Sequence, residues 1–427
     1  MVKILILFLF FLICLEIFLY RLVNFLRKYY NNSHNWLKNR YVTNIITKNK
    51  DLFPKIIKED LFKFKIYMHD KILGSTYKKN TSVIEKYYDN KKIIRTKYTI
   101  QKSGSRINYL FKNKNHISTY GDSLTFCRYV NDNQTWQYHL SKKTKSNVKN
   151  YGVGNYGLDQ SYLRYLQNKN DKSKIVIFAV GPETIRRNLS LWKHYYEFGN
   201  IYYFKPAYLL NKKGKLKKNS LSIKNFSLKT NFNNIHKKIK DKDIFFREKF
   251  SQYLWIRPYL FSLTKNFQRK VILIIFFSLK YIEIEKKNNF IKKILDLFFK
   301  DINQLGGLKY DFDDKVKYFK NKEYYKNTLE LIKIISKDLK KKKKEGLLVI
   351  MPSQYDLIYR KKTKHNYYGN FIAECNKHIN CMDLGDFLLK NNQKIHADKG
   401  YGGHFNDLGN KNISKIIFNY LNKNNYI

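Results

Sequence analysis

Tyr120-Gly121-Asp122-Ser123-Leu124-Thr125 sets a serine in the turn between an apolar strand and a helix. A serine in that position presents its hydroxyl, and its own N–H lies near a helix N-terminus, where an oxyanion is stabilised. Gly121 permits the tight turn. A second run, Asn150 to Gln160 (NYGVGNYGLDQ), follows another strand and opens another helix. Its small residues let backbone N–H groups approach a ligand closely. A third run, Gly402 to Asn410 (GGHFNDLGN), stands just before the last helix. A histidine on a glycine-flanked loop there can reach a serine at a sheet edge, and a serine needs such a base to become a nucleophile. Alone, each run has a plainer explanation: a chance Gly-Asp-Ser, a glycine-rich turn, a surface histidine. Together they point to acyl transfer through Ser123 with His404 as base.

The elements that would position these runs can be read around them. His116–Tyr120 leads into the serine turn, and a helix is expected across Gln134–Lys142. Asn147–Tyr151 reads as a second strand. Leu158, Tyr162, Tyr165 and Leu166 recur at helical spacing. Lys174–Val180 (KIVIFAV) is a short β-branched apolar run, a buried strand. Tyr325, Leu329, Ile332, Ile335 and Leu339 define a further helix, stopped by Gly346 before a strand at Leu347–Met351. Cys381–Leu384 reads as a last strand and Ile413–Leu421 as a closing helix. Strands alternating with helices imply a parallel sheet covered on both faces, with its active site at the C-terminal ends of the strands. Residues 190–320 break the alternation and read as an inserted helical subdomain.

The three runs, in this order, resemble the SGNH (GDSL-type) hydrolase family. Ser123 matches the family's nucleophile block, Asn150–Gln160 its second block and His404 the histidine of its last block. Gly104-Ser105-Arg106 resembles a Gly-Phe-Arg element that precedes the nucleophile strand in membrane-anchored bacterial members. The resemblance spans roughly 104–183 and 323–425. It implies a flavodoxin-like three-layer α/β/α fold, ester chemistry through an acyl-serine, and no cofactor or metal. It also implies an oxyanion hole built from the backbone N–H groups of Ser123 and of Asn155 or its neighbour Gly154. Two departures stand out. The third block usually carries an Asn whose side chain donates to the oxyanion, but Val180-Gly181-Pro182-Glu183 has none. The family's acid lies three residues before the histidine, where this chain has Tyr401. A Ser–His dyad is therefore expected, with Asp398 the acid that could fold back toward the imidazole.

Ile4–Tyr20 is apolar except for Glu16. As a helix it covers about 25 Å, and extension through Leu26 brings it to the ~30 Å of a bilayer core. No small-residue cleavage site follows, so an uncleaved anchor is expected. Glu16 is expected to pair with Arg21; contact with a partner helix is the alternative. Arg21, Arg27 and Lys28 after the segment would by the positive-inside rule put the body in the cytoplasm, whereas the family resemblance favours an extracytoplasmic body. The expected organisation is an anchor over 1–28, a membrane-proximal lead-in over 29–114 with some strand around Asp60–Met68, the hydrolase domain over 115–189 and 321–427, and the helical insertion over 190–320.

The formal charge is +51, from 84 Lys+Arg against 33 Asp+Glu. The basic residues are scattered, and Lys, Asn, Ile, Phe and Tyr, all with A- and T-rich codons, are abundant together. The charge therefore reads as compositional bias, and no specific nucleic-acid partner is expected. Cys14, Cys127, Cys375 and Cys381 show no metal-ligand spacing. Membrane-anchored relatives imply an O-acyl carbohydrate as substrate or acceptor. The rival expectations are a lipid esterase or thioesterase, and a catalytically degenerate envelope scaffold.

Overall fold

The computed structural model describes residues 2–32, 66–89, 92–111, 115–196, 205–210, 216–219, 239–251, 257–265, 267–299, 315–390, 394–397 and 403–427. The chain divides into two compact units.

The larger unit spans 62–189, 203–226 and 314–427. Its hairpins are β1 (Tyr67–Asp70) with β2 (Gly74–Tyr77), β3 (Thr81–Asp89) with β4 (Lys92–Ile100), and β8 (Ala207–Leu210) with β9 (Leu216–Asn219). Its centre is a parallel sheet of β5 (Asn115–Gly121), β6 (Asn147–Asn150), β7 (Ile175–Val180), β10 (Glu345–Ile350) and β11 (Asn380–Asp383), ordered β11-β10-β7-β5-β6. Counted from β5, that is the flavodoxin-like order 2-1-3-4-5, which has its topological switch between β5 and β7. β7 reads IVIFAV and is buried throughout, as a strand covered on both faces must be. On one face the helices Trp136–Thr144 and Asp407–Lys423 pack together, and Trp136, Leu140, Ile413, Ile417 and Leu421 join the sheet in the main core. On the other, Leu158–Gln167 and Lys322–Lys341 cover the sheet. The expected three-layer α/β/α architecture is observed.

Residues 66–111, expected as part of a lead-in, fold into this unit. β4 shows why: Thr96, Tyr98 and Ile100 are buried, while Arg95 and Lys97 in alternation with them are exposed, the period-two pattern of a half-covered strand. The hairpin is tied to the sheet edge through Arg106, whose N–H donates to the Asn150 carbonyl at 2.7 Å, while Ile107 N–H donates to Thr99 at 2.8 Å.

The smaller unit spans 1–61, 190–202 and 227–313. It holds the N-terminal helix Val2–Asn32 and the helices Tyr259–Thr264, Phe267–Lys286 and Asn289–Phe298. Residues 2–26 of the first are long and apolar enough to cross a membrane, with a mean hydropathy of 2.8. Glu16 does not bond Arg21 as expected; its carboxylate accepts from Tyr259 and Leu260 N–H at 2.7 and 2.8 Å. It thereby supplies the cap that Pro258 cannot give to Tyr259–Thr264.

Candidate active site

β5 ends at Gly121, where only glycine fits. A Cβ there would stand 1.8 Å from the Ala179 carbonyl oxygen and 2.2 Å from Thr125 Oγ1. Asp122 is the N-cap of the short helix Ser123–Phe126, its Oδ1 accepting from Leu124 N–H at 2.9 Å. Its Oδ2 accepts from Gly181 N–H at 3.2 Å and from Arg187 Nη1 at 2.7 Å. Asp122 is thus buried and committed to holding the ends of β5 and β7 in register. Ser123 follows it, half-buried, at the helix N-terminus.

Arg106 fixes the other end of that helix. Its side chain is fully buried. Nη1 donates to the carbonyls of Phe126 and Cys127 at 2.7 and 2.8 Å, Nη2 to Val130 at 2.6 Å and Nε to Asp132 at 2.8 Å. The guanidinium also lies over the rings of Tyr98 and Phe126, 4.7 and 4.8 Å from their centroids. A planar fork can serve this many acceptors at once; an ammonium cannot.

The loop after β11 brings the histidine. His404 Nε2 lies 2.9 Å from Ser123 Oγ, across 281 residues of sequence. The His404 carbonyl accepts from Ala397 N–H at 2.8 Å. Gly403 has φ +62°, and a Cβ there would press on Gln354 at 2.7 Å. The imidazole meets the Tyr129 ring edge-on at 5.2 Å. Tyr129 itself has φ +73°, a strained value for a bulky residue, of a kind that clusters at functional sites. Tyr129 also borders an open cleft of about 340 Å³, lined with Arg95, Asn131, Gln134 and Lys394. Beside this loop His396 stacks on Phe405, and burial pushes its imidazole down to about 4.

The second run turns directly after β6. Gly152 packs against the nucleophile helix, where a Cβ would meet Phe126 N at 2.4 Å. Gly154, one of the two expected oxyanion donors beside Ser123, gives its N–H to Tyr77 Oη at 2.9 Å. Asn155, the other donor expected beside Ser123, has φ +69°. Asparagine tolerates this left-handed region better than other non-glycine residues, which accounts for its standing at a glycine position. Tyr77 and Tyr67 come from the first hairpin; their hydroxyls lie 3.4 Å apart, and burial raises both phenols above their ordinary value. The sequence held no signal linking that hairpin to the turn.

The third block holds no substitute donor. Gly181 N–H serves Asp122 and Pro182 has no N–H. Glu183 pairs with Arg186 and Lys315. Desolvation alone would raise its carboxyl, but Arg186, Lys315 and Arg187 hold it well below the usual carboxylate range. Asp398 and Tyr401 lie outside the described residues. Asp407, the next acid after His404, pairs with His139 Nε2 and with Lys411, each at 2.8 Å. Asn406 caps the closing helix, accepting from Gly409 N–H at 2.8 Å.

No family model and no curated protein matches this chain. Among solved structures it is similar to a protein of Desulfitobacterium hafniense DCB-2 described as lipolytic and of the G-D-S-L family. The identity is 11%, the match covers 71% of this chain and 98% of the other, and the TM-score is 0.29.

Proposed function

We propose that this chain is a membrane-anchored serine esterase or O-acyltransferase acting on short acyl esters, acetyl above all, of a carbohydrate. The observation that carries the reading is the 2.9 Å approach of His404 Nε2 to Ser123 Oγ at the C-terminal end of β5. The location at the switch point of a doubly wound sheet supports it. His404 takes the hydroxyl proton as Ser123 Oγ attacks the ester carbonyl. The N–H groups of Ser123 and Asn155 stabilise the oxyanion. The intermediate collapses, the alcohol leaves with the proton from His404, and an acyl-serine remains. Water, or a sugar hydroxyl deprotonated by the same histidine, then attacks that acyl group and frees Ser123.

The purified protein assayed on nitrophenyl esters of increasing chain length should prefer acetyl and propionyl. A preference for long chains would move the substrate to lipids. Absence of turnover on every ester, together with no capture by a fluorophosphonate, would remove the enzymatic reading.

Asn155 supplies backbone rather than side chain in this mechanism. Asn155→Gly should keep kcat within about a factor of three, because glycine adopts positive φ freely. Asn155→Val, strained at that φ, should turn the peptide and lower kcat by about 10²-fold, the loss of one oxyanion donor. If Asn155→Gly costs as much as Asn155→Val, the side chain is the donor and the backbone assignment is wrong.

A further inference from the structure

The contact between Glu16 and the insertion fixes a depth. Residues 2–26 form the apolar span, about 37 Å of helix against a ~30 Å hydrocarbon core. Glu16 lies ten residues before Leu26, about 15 Å inside if the core ends at Leu26, and about 9 Å inside if the core begins at Val2. The amides of Tyr259 and Leu260, bonded to its carboxylate, share that depth. Two further clusters pack the insertion along the same helix: Leu19 and Val23 with Tyr259, and Leu26 with Phe276, Phe277 and Leu295.

The outward surface of these helices is not that of a water-facing subdomain. Phe261, Phe290, Leu297 and Phe298 are 60%, 69%, 73% and 74% exposed. In Asn289–Phe298, at ~100° per residue, the apolar arc runs from Leu297 and Phe290 through Ile294 and Phe298 to Ile291 and Leu295. Ile291 and Leu295 face the protein and Ile294 is half-buried, while Phe290, Leu297 and Phe298 stand exposed among the described residues. Exposed Lys292 and Lys293 lie on the remaining arc, with exposed Lys286 and Lys287 just before it. A helix with an apolar face and a lysine-bearing polar face suits the plane between acyl chains and anionic headgroups.

We propose that the helices Tyr259–Thr264, Phe267–Lys286 and Asn289–Phe298 are embedded in one leaflet beside the N-terminal helix. Phe261, Phe290, Leu297 and Phe298 meet acyl chains, and Lys286, Lys287, Lys292 and Lys293 meet lipid phosphates. The inference rests on the N-terminal helix being a membrane anchor. It extends that reading by making the insertion a second lipid-binding element, joined to the anchor through Glu16.

The test uses the full chain in phosphatidylcholine vesicles, with Cys14→Ser and one new cysteine at a time, Phe290→Cys, Phe298→Cys or Lys292→Cys, carrying an environment-sensitive dye. Retention on the vesicles after a high-salt wash reads the anchor; quenching by doxyl-labelled lipid reads the helices. We expect retention, and quenching at 290 and 298 about two-fold or more above that at 292. Retention with equal, weak quenching at all three positions would overturn the proposal and leave the anchor standing. Disulfide cross-linking between copies at 290 or 298 would assign the face to a second chain and overturn it too. Release by salt would overturn both readings.

Discussion

Ser123→Ala should abolish covalent capture by a fluorophosphonate and lower turnover of a small acetyl ester by on the order of 10⁴-fold or more. His404→Ala should lower kcat by about 10²–10⁴-fold, the usual worth of general-base catalysis. The double variant should be no worse than Ser123→Ala, because a nucleophile and its base act as a unit. The ground is the 2.9 Å separation of Oγ and Nε2, within reach for proton transfer. Neither change should unfold the protein: Ser123 is half-buried at a helix start, and the His404 loop keeps its Ala397 bond through the backbone. Asp398→Asn should cost clearly less than His404→Ala, since an acid orients and stabilises the imidazole rather than taking the serine proton. Labelling that survives Ser123→Ala would end the assignment of the nucleophile. Unchanged kcat in His404→Ala would end that of the base, and equal losses at 398 and 404 would replace the dyad with a triad.

Arg106→Met should destabilise the larger unit by about 3–5 kcal/mol, because it strips the partner from a buried carboxylate. Among the described residues Asp132 would keep only the Thr99 N–H, 3.2 Å away, the carbonyls of Cys127 and Val130 would lose their side-chain donor, and that of Phe126 would keep only a 3.5 Å bond from Asn150 Nδ2. For a domain of this size each kcal/mol moves Tm by about 2–4 °C, so a fall of roughly 10 °C is expected. Arg106→Lys should recover little of it, since one ammonium cannot reach all the acceptors spread around the edge of the guanidinium. Thermal melts of both variants decide the matter. A Tm for Arg106→Met within measurement error of the parent would show that the clamp adds nothing to stability. A nearly full rescue by lysine would show that charge alone matters.

The sheet was legible because its strands are short apolar runs bounded by turns. Ile175–Val180 stands within one residue of its expected limits, and the order of the three glycine-bearing runs placed Ser123 and His404 at one edge. The β3–β4 hairpin was not seen. Its alternation is real, but a chain with 84 Lys and Arg places a basic residue almost everywhere, which blurs the contrast that period two depends on. The roles of Tyr77 and Arg187 could not be read at all. Each reaches the site by tertiary packing, Tyr77 across 77 residues and Arg187 across 65. Glu16 is the instructive case. Its oddity within an apolar segment was visible, yet its partners are backbone amides 243 and 244 residues away, and an amide leaves no side-chain signature.

The span of 281 residues between Ser123 and His404 bears on synthesis. All five strands of the sheet are complete by Asp383, but the core also needs Ile413, Ile417 and Leu421 of the closing helix. The serine turn, its Arg106 clamp and the second glycine run all precede that helix in the chain. The base arrives only with the segment that also begins the closing helix at Asp407, and that helix must dock on Trp136–Thr144 for the loop to close. A chain stopped before His404 lacks both the histidine and the helix that covers this face of the sheet, so completion of the core and formation of the Ser123–His404 contact are one event.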